Sequence, residues 1–190
     1  GRNQVAAYDQ SQADTERQRE SRANSRKELE LALADERFSL RAQPIVRNSI
    51  DGSQPDNAYY ELLLSVNDKE GEDLSLQAFI DSAENYGFMS LVDRWVVREA
   101  FQWIHQLMDD QKEVPRLAIN LSGSSVTDDE FLDYQLEQIS EFGVGTSQLC
   151  FEITEAGTIT NLVKAADFIR TLRNIGCKFS IDDFGTGLSS

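Results

Sequence analysis

Leu149-Cys150-Phe151-Glu152-Ile153-Thr154 is an apolar run with a carboxylate set into its middle. Phe151 and Ile153 flank Glu152, so the segment reads as a buried strand that still carries a charge. Three other runs repeat the pattern. Tyr59-Tyr60-Glu61-Leu62-Leu63-Leu64 holds Glu61, and Leu117-Ala118-Ile119-Asn120-Leu121-Ser122 holds Asn120. Lys178-Phe179-Ser180-Ile181-Asp182-Asp183-Phe184 holds Asp182 with Asp183 beside it. Burying one ionised carboxylate without a partner is costly. Several near one another are reconciled when cations neutralise them, and an oxygen-only donor set selects a hard ion such as Mg²⁺, Mn²⁺ or Ca²⁺.

Segments of helical periodicity separate these runs. Strand alternating with helix predicts a parallel sheet, with the working residues at the carboxyl ends of the strands. Side chains repeat a face every second residue, so Ala118 with Asn120, Cys150 with Glu152, and Ser180 with Asp182 share a small, polar face. Leu117, Ile119, Phe151, Ile153, Phe179 and Ile181 form the bulky opposite face. The expected fold is therefore α/β, a TIM-type (β/α) barrel with a ligand cavity inside and helices outside. A complete barrel needs ~250 residues. The 190 residues here thus predict one that is incomplete at its C-terminal end, an open arc of about six strands with an exposed edge.

Along the chain, residues 10–37 lack Gly and Pro and read as a linker helix. Phe38–Val46 reads as the first strand, and residues 48–58 are turn-rich, with a hairpin-like Asp51-Gly52. Helices are expected over Leu76–Tyr86, between Ser75 and Gly87, and over Leu91–Met108. A capping box at Thr127-Asp128-Asp129-Glu130 opens a helix to Phe142, and Leu162–Ile175 ends at Gly176.

Formal net charge is −15, and residues 38–190 carry most of it, with 11 basic and 25 acidic groups. Such a surface repels polyphosphate backbones, which argues against duplex nucleic acid as a partner. A phosphodiester ligand would need bridging cations. Cys150 and Cys177 lack metal-ligand spacing and fit a reducing compartment, that is, a cytoplasmic domain. No apolar run approaches the ~20 residues of a membrane span. Flanking sequence could still anchor the parent protein.

Asn120-Leu121-Ser122, Phe151-Glu152-Ile153-Thr154-Glu155 and Asp182-Asp183-Phe184-Gly185-Thr186-Gly187-Leu188-Ser189-Ser190 resemble the EAL domain family, as do Gln43-Pro44-Ile45 and Glu61-Leu62-Leu63-Leu64. The resemblance implies a bacterial signalling barrel that hydrolyses cyclic di-GMP to linear pGpG with two divalent cations, Mg²⁺ or Mn²⁺. It implies metal ligation by Glu61, Asn120, Glu152, Asp182 and Asp183, catalytic roles for Glu61, Asp182 and Asp183, and a nucleotide pocket lined by Gln43. It also implies a homodimer through the EAL domain. Residues 1–9 resemble the last strand of a GGDEF domain, so neighbouring GGDEF and sensor domains are expected, with 38–190 as a partial EAL domain. A catalytic Lys and a further Glu of the family would lie beyond Ser190.

Plainer readings stand beside these. Asn120 alone could be a strand-end turn residue, Gln43 an ordinary strand residue, and Glu155 a helix-start or supporting group. His105, Trp95 and Trp103 read as structural. Ser65 stands at a substrate-binding position where the family usually has a phosphate-contacting Arg, and Leu62 where it usually has Ala. The alternative function is therefore a degenerate EAL domain that binds cyclic di-GMP, or a partner protein, without hydrolysis.

Overall fold

The computed structural model describes residues 26–27, 30–32, 37–46, 58–67, 75–154 and 161–182. The described elements run β1 (Phe38–Pro44), β2 (Tyr59–Val66), α1 (Leu76–Tyr86), α2 (Met89–Asp109), β3 (Arg116–Leu121), α3 (Gly123–Val126), α4 (Asp129–Phe142), β4 (Leu149–Thr154), α5 (Leu162–Asn174) and β5 (Lys178–Asp182). The chain divides into two compact units, Gly1–Phe38 with Val66–Phe88, and Ser39–Ser65 with Met89–Ser190. Among the described residues no helix is long and apolar enough to cross a membrane. Residues 1–9, with the GGDEF-like stretch, and most of the expected linker helix lie outside the described residues. Within 10–37, Arg26, Lys27 and Glu30–Ala32 are helical, and Arg26 pairs with Glu30 at 2.8 Å.

In the first unit, α1 begins where the Ser75 hydroxyl accepts the Ala78 N–H at 3.4 Å. It ends at Gly87, whose φ of 72° is the left-handed conformation that glycine adopts without a Cβ clash. Phe38 meets Phe79 of α1 edge-on at 5.3 Å.

In the sheet, strands neighbour one another in strict sequence order, β1-β2-β3-β4-β5. The pairs β2–β3, β3–β4 and β4–β5 are parallel. Each crossover steps the same way, which is single winding, whereas a doubly wound sheet would reverse. Right-handed crossovers then put α2, α4 and α5 on one face, as in a barrel wall.

One strand departs from the expected parallel pattern. Asn67 N–H bonds to Arg37 C=O at 2.9 Å and Ile45 N–H to Tyr59 C=O at 2.8 Å. Both bonds fit one antiparallel register, so β1 runs against β2 and Gln43 stands opposite Glu61. Residues 48–57 of the expected turn-rich stretch, with Asp51-Gly52, lie outside the described residues.

The bulky face is the core. Leu117, Ile119, Leu149 and Phe151 have no exposed surface. Helix α5 covers β4 and β5 through Phe168, which meets Phe179 edge-on at 6.2 Å and stacks on Phe131 of α4 at 6.1 Å. Trp103 of α2 meets Tyr60 at 6.5 Å. His105 is exposed, with Nδ1 3.2 Å from Phe142 O and its ring edge-on to Phe142 at 6.0 Å.

Helix α2 starts two residues earlier and ends one residue later than expected, and its buried face includes Val92, Asp93, Val96, Val97, Ala100, Phe101 and Ile104. The capping box is also displaced. Asp128, not Thr127, caps α4, accepting the Glu130 N–H at 3.0 Å. Thr127 instead donates to Gly123 O at 2.9 Å, closing α3. Helix α5 stops at Asn174, followed by Gly176 with a φ of 110°. A Cβ there would lie 2.8 Å from the Thr146 hydroxyl.

Candidate functional site

Register fixes which side chains share a face, because residues paired across strands project the same way. Glu61 pairs with Ala118, Asn120 with Glu152, Glu152 with Ser180, and Thr154 with Asp182. Two-residue alternation then puts Glu61, Asn120, Glu152 and Asp182 on one face, opposite the helices. They come from four consecutive strands, stepped along the sheet as a staggered barrel requires.

Direct bonds join two pairs of residues across adjacent strands. Asn120 Nδ2 donates to Glu61 Oε1 at 3.0 Å, and Ser180 Oγ donates to Glu152 Oε1 at 2.9 Å. The Asn120 bond turns its Nδ2 to Glu61 and leaves Oδ1 as the amide's remaining acceptor. Partial burial pushes the Glu152 carboxyl above its ordinary range. The Ser180 bond opposes that shift, and the charges of Glu61 and Asp182 reinforce it. Three acids on three strands thus act on one another electrostatically.

Ser65 follows Glu61 by four residues and shares its face, nearer the carboxyl end of β2. Gln43, exposed on β1, shares the same face opposite Glu61. Asp183, Glu155 and the Gly185-Thr186-Gly187 stretch lie outside the described residues. Among the described residues, no three His, Cys, Asp or Glu side chains are grouped tightly enough to hold an ion by themselves. The donor set on this face includes the Asn120 amide as well as the carboxylates.

The face also holds groups that sequence reading missed. Below Glu61 on β2, the Tyr59 hydroxyl is pushed well above its ordinary range, first by burial, then by a bond to the Cys150 thiol and by the charges of Cys150 and Glu152. Arg116 opposes that shift and stacks over the Tyr59 ring at 5.1 Å. Cys150 Sγ lies 3.8 Å from Ser180 Oγ. Tyr59, Cys150 and Ser180 therefore form a polar row that reaches Glu152. Alternation placed these residues on the inner face, but their mutual contacts cross three strands. Cys177 sits just before β5, and burial pushes its thiol up to about 11, as for a packed core residue.

The EAL domain family matches residues 26–190. The chain belongs to this family. The EAL domain fold is a TIM-type α/β barrel, in accord with the single winding of the described strands. Cyclic di-GMP phosphodiesterase PdeF of Escherichia coli (strain K12) is 34% identical over 164 residues, covering 85% of this chain and 21% of that protein. Cyclic di-GMP phosphodiesterase PdeB of Shewanella oneidensis is 32% identical over 193 residues, covering 100% of this chain and 22% of that protein. The solved EAL enzyme Bd1971, in a form bound to cAMP and cyclic di-GMP, aligns with a TM-score of 0.74 at 26% identity, covering 89% of this chain and 46% of that one. The chain thus spans about a fifth of the length of these curated relatives.

Proposed function

We propose that the full-length protein carrying this EAL domain hydrolyses cyclic di-GMP to linear pGpG. The observation that carries the reading is the convergence of Glu61, Asn120, Glu152 and Asp182 on one sheet face within an EAL domain. Relatives named as cyclic di-GMP phosphodiesterases support hydrolysis over a non-hydrolysing receptor.

The residues fit a divalent-cation site on chemical grounds. They offer hard oxygen donors, and a bound cation would oppose the burial and the repulsion from Glu61 and Asp182 that together raise the Glu152 carboxyl. EAL phosphodiesterases work with divalent ions. Two ions, Mg²⁺ or Mn²⁺, would be held here by Glu61, Asn120, Glu152, Asp182 and Asp183. When bound they would bridge the phosphodiester and lower the pKa of a water.

The chain's own contribution is placement. Asn120 keeps Oδ1 available by spending its N–H on Glu61, and Ser180 orients Glu152. Gln43 and Ser65, on the same face, would contact the nucleotide. Ser65 offers a short hydroxyl where a guanidinium would reach a phosphate in bidentate fashion.

Incubating the full-length protein with cyclic di-GMP and Mg²⁺ or Mn²⁺, and following pGpG by chromatography, tests the reading. We expect metal-dependent pGpG, and none under either ion would reject hydrolysis. Homodimerisation through the EAL domain belongs to the same proposal, and sedimentation of the full-length protein tests it.

A further inference from the structure

Helix α2 carries an acid in the middle of its buried face. Asp93 is only 4% exposed, yet nothing in its sequence context marks it for function. Its Oδ2 accepts three hydrogen bonds from the loop that leaves β3. The donors are Ser122 N–H at 3.0 Å, Ser122 Oγ at 2.6 Å and Ser125 Oγ at 2.6 Å. Ser122 Oγ in turn accepts the Ser125 N–H at 3.3 Å, capping α3. Short bonds to a buried carboxylate are among the stronger kinds available to a protein.

The geometry joins this cluster to the candidate site. Ser122 follows Asn120 by two residues, with Leu121 between them 4% exposed on the helix side. The end of β3 is therefore held on one side by Leu121 packing and beyond it by the Asp93 carboxylate. Asn120 itself is exposed, and its one bond described above is to Glu61. Its backbone pairs with Glu152 of β4 and is flanked by buried Ile119 and Leu121, but β3 ends one residue later, at Leu121. Beyond Leu121, where the strand pairing stops, the chain is held by the clamp at Ser122.

We propose that Asp93 is a positioning residue that acts through Ser122 to hold Asn120 where its amide oxygen can take a divalent cation. This rests on the cation reading above. A carboxylate suits the task because one oxygen must accept three donors at once. An amide in its place brings N–H groups of its own and loses the charge.

The test is Mn²⁺ alone, titrated into the full-length protein and followed by the spectroscopic signal of free Mn²⁺. Wild type, Asp93→Asn, Asn120→Ala and the double variant form a cycle, with Ser122→Ala as a milder second probe that keeps the carboxylate. Loss of a group that orients a ligand costs about 10–100-fold in affinity. We expect Asp93→Asn to weaken Mn²⁺ binding by that order in the wild-type background, but within about twofold of no effect once Asn120 is already Ala. Ser122→Ala should show the same pattern at smaller size. A lowered melting temperature with unchanged Mn²⁺ affinity would make Asp93 purely structural and overturn the proposal, as would equal losses in both backgrounds. A wild-type protein that binds no Mn²⁺ would instead reject the cation reading, and this proposal with it.

Discussion

Asn120 donates its side-chain N–H to Glu61 across 3.0 Å, joining β3 to β2 between residues 59 positions apart in sequence. The bond gives one carboxylate a partner and settles which end of the amide faces the other donors. It also makes Asn120 sensitive to charge. In Asn120→Asp the donor is lost and a second anion faces Glu61. Without divalent ions the variant should melt below wild type, and excess Mg²⁺ should recover most of the difference. Thermal melts in chelator and in Mg²⁺ check this.

Glu152 gives a pH dependence with a definite sign. Its folded-state pKa lies above the ordinary value of 4.5. The folded form therefore binds the proton more tightly than the unfolded chain. The resulting stability is fully present below the unfolded pKa and is lost as pH rises through the folded one. Glu152→Gln removes that loss. In chelator, the melting temperature of the variant minus that of wild type should grow more positive from acid to neutral pH. A flat difference would mean that the carboxyl is not raised.

Ser65→Arg restores a guanidinium on the site face. Hydrogen bonds to charged groups contribute ~1.5–3 kcal/mol, about one to two decades in Kd. Calorimetric titration of the full-length protein with cyclic di-GMP should show tightening of that order. Unchanged affinity would mean that Ser65 is no lesion.

Phe168 links α5 to α4 and β5 and is 2% exposed. Phe168→Ala should cost about 3–5 kcal/mol, read from urea unfolding, because a deleted buried ring leaves a cavity.

The cap of α4 separates two adjacent candidates. Asp128→Ala should cost about 1 kcal/mol, as loss of an N-cap does. Thr127→Ala removes a hydroxyl from Gly123 O instead, and so should act on α3. Hydrogen exchange in the two helices distinguishes the variants.

The strands and their inner face were legible because a period of two is a strong local signal, and Glu61, Asn120, Glu152 and Asp182 interrupt it in the same way. Helix α1 was legible to the residue because Ser75 and Gly87 act through their own backbone. What escaped was set by distant partners. Nothing near Asp93 reveals that Ser122 and Ser125 will meet it across 29 and 32 positions. The Tyr59, Cys150 and Ser180 row needs the register of three strands. Thr127 and Asp128 both fit a cap, and only the short helix before them, which has no apolar period, assigns one to each helix end.

The reversed direction of β1 changes how Gln43 is brought to the site face. Were β1 parallel to its neighbours, the chain would enter at the floor, beneath the amino ends of the strands. Because β1 runs against β2, Ser39 stands opposite Ser65, and the strand begins toward the rim to which the strands carrying Asn120 and Asp182 run. Gln43 is thus delivered to the face it shares with Glu61 by a strand that descends from the rim, whereas Glu61, Asn120, Glu152 and Asp182 ride strands that climb toward it.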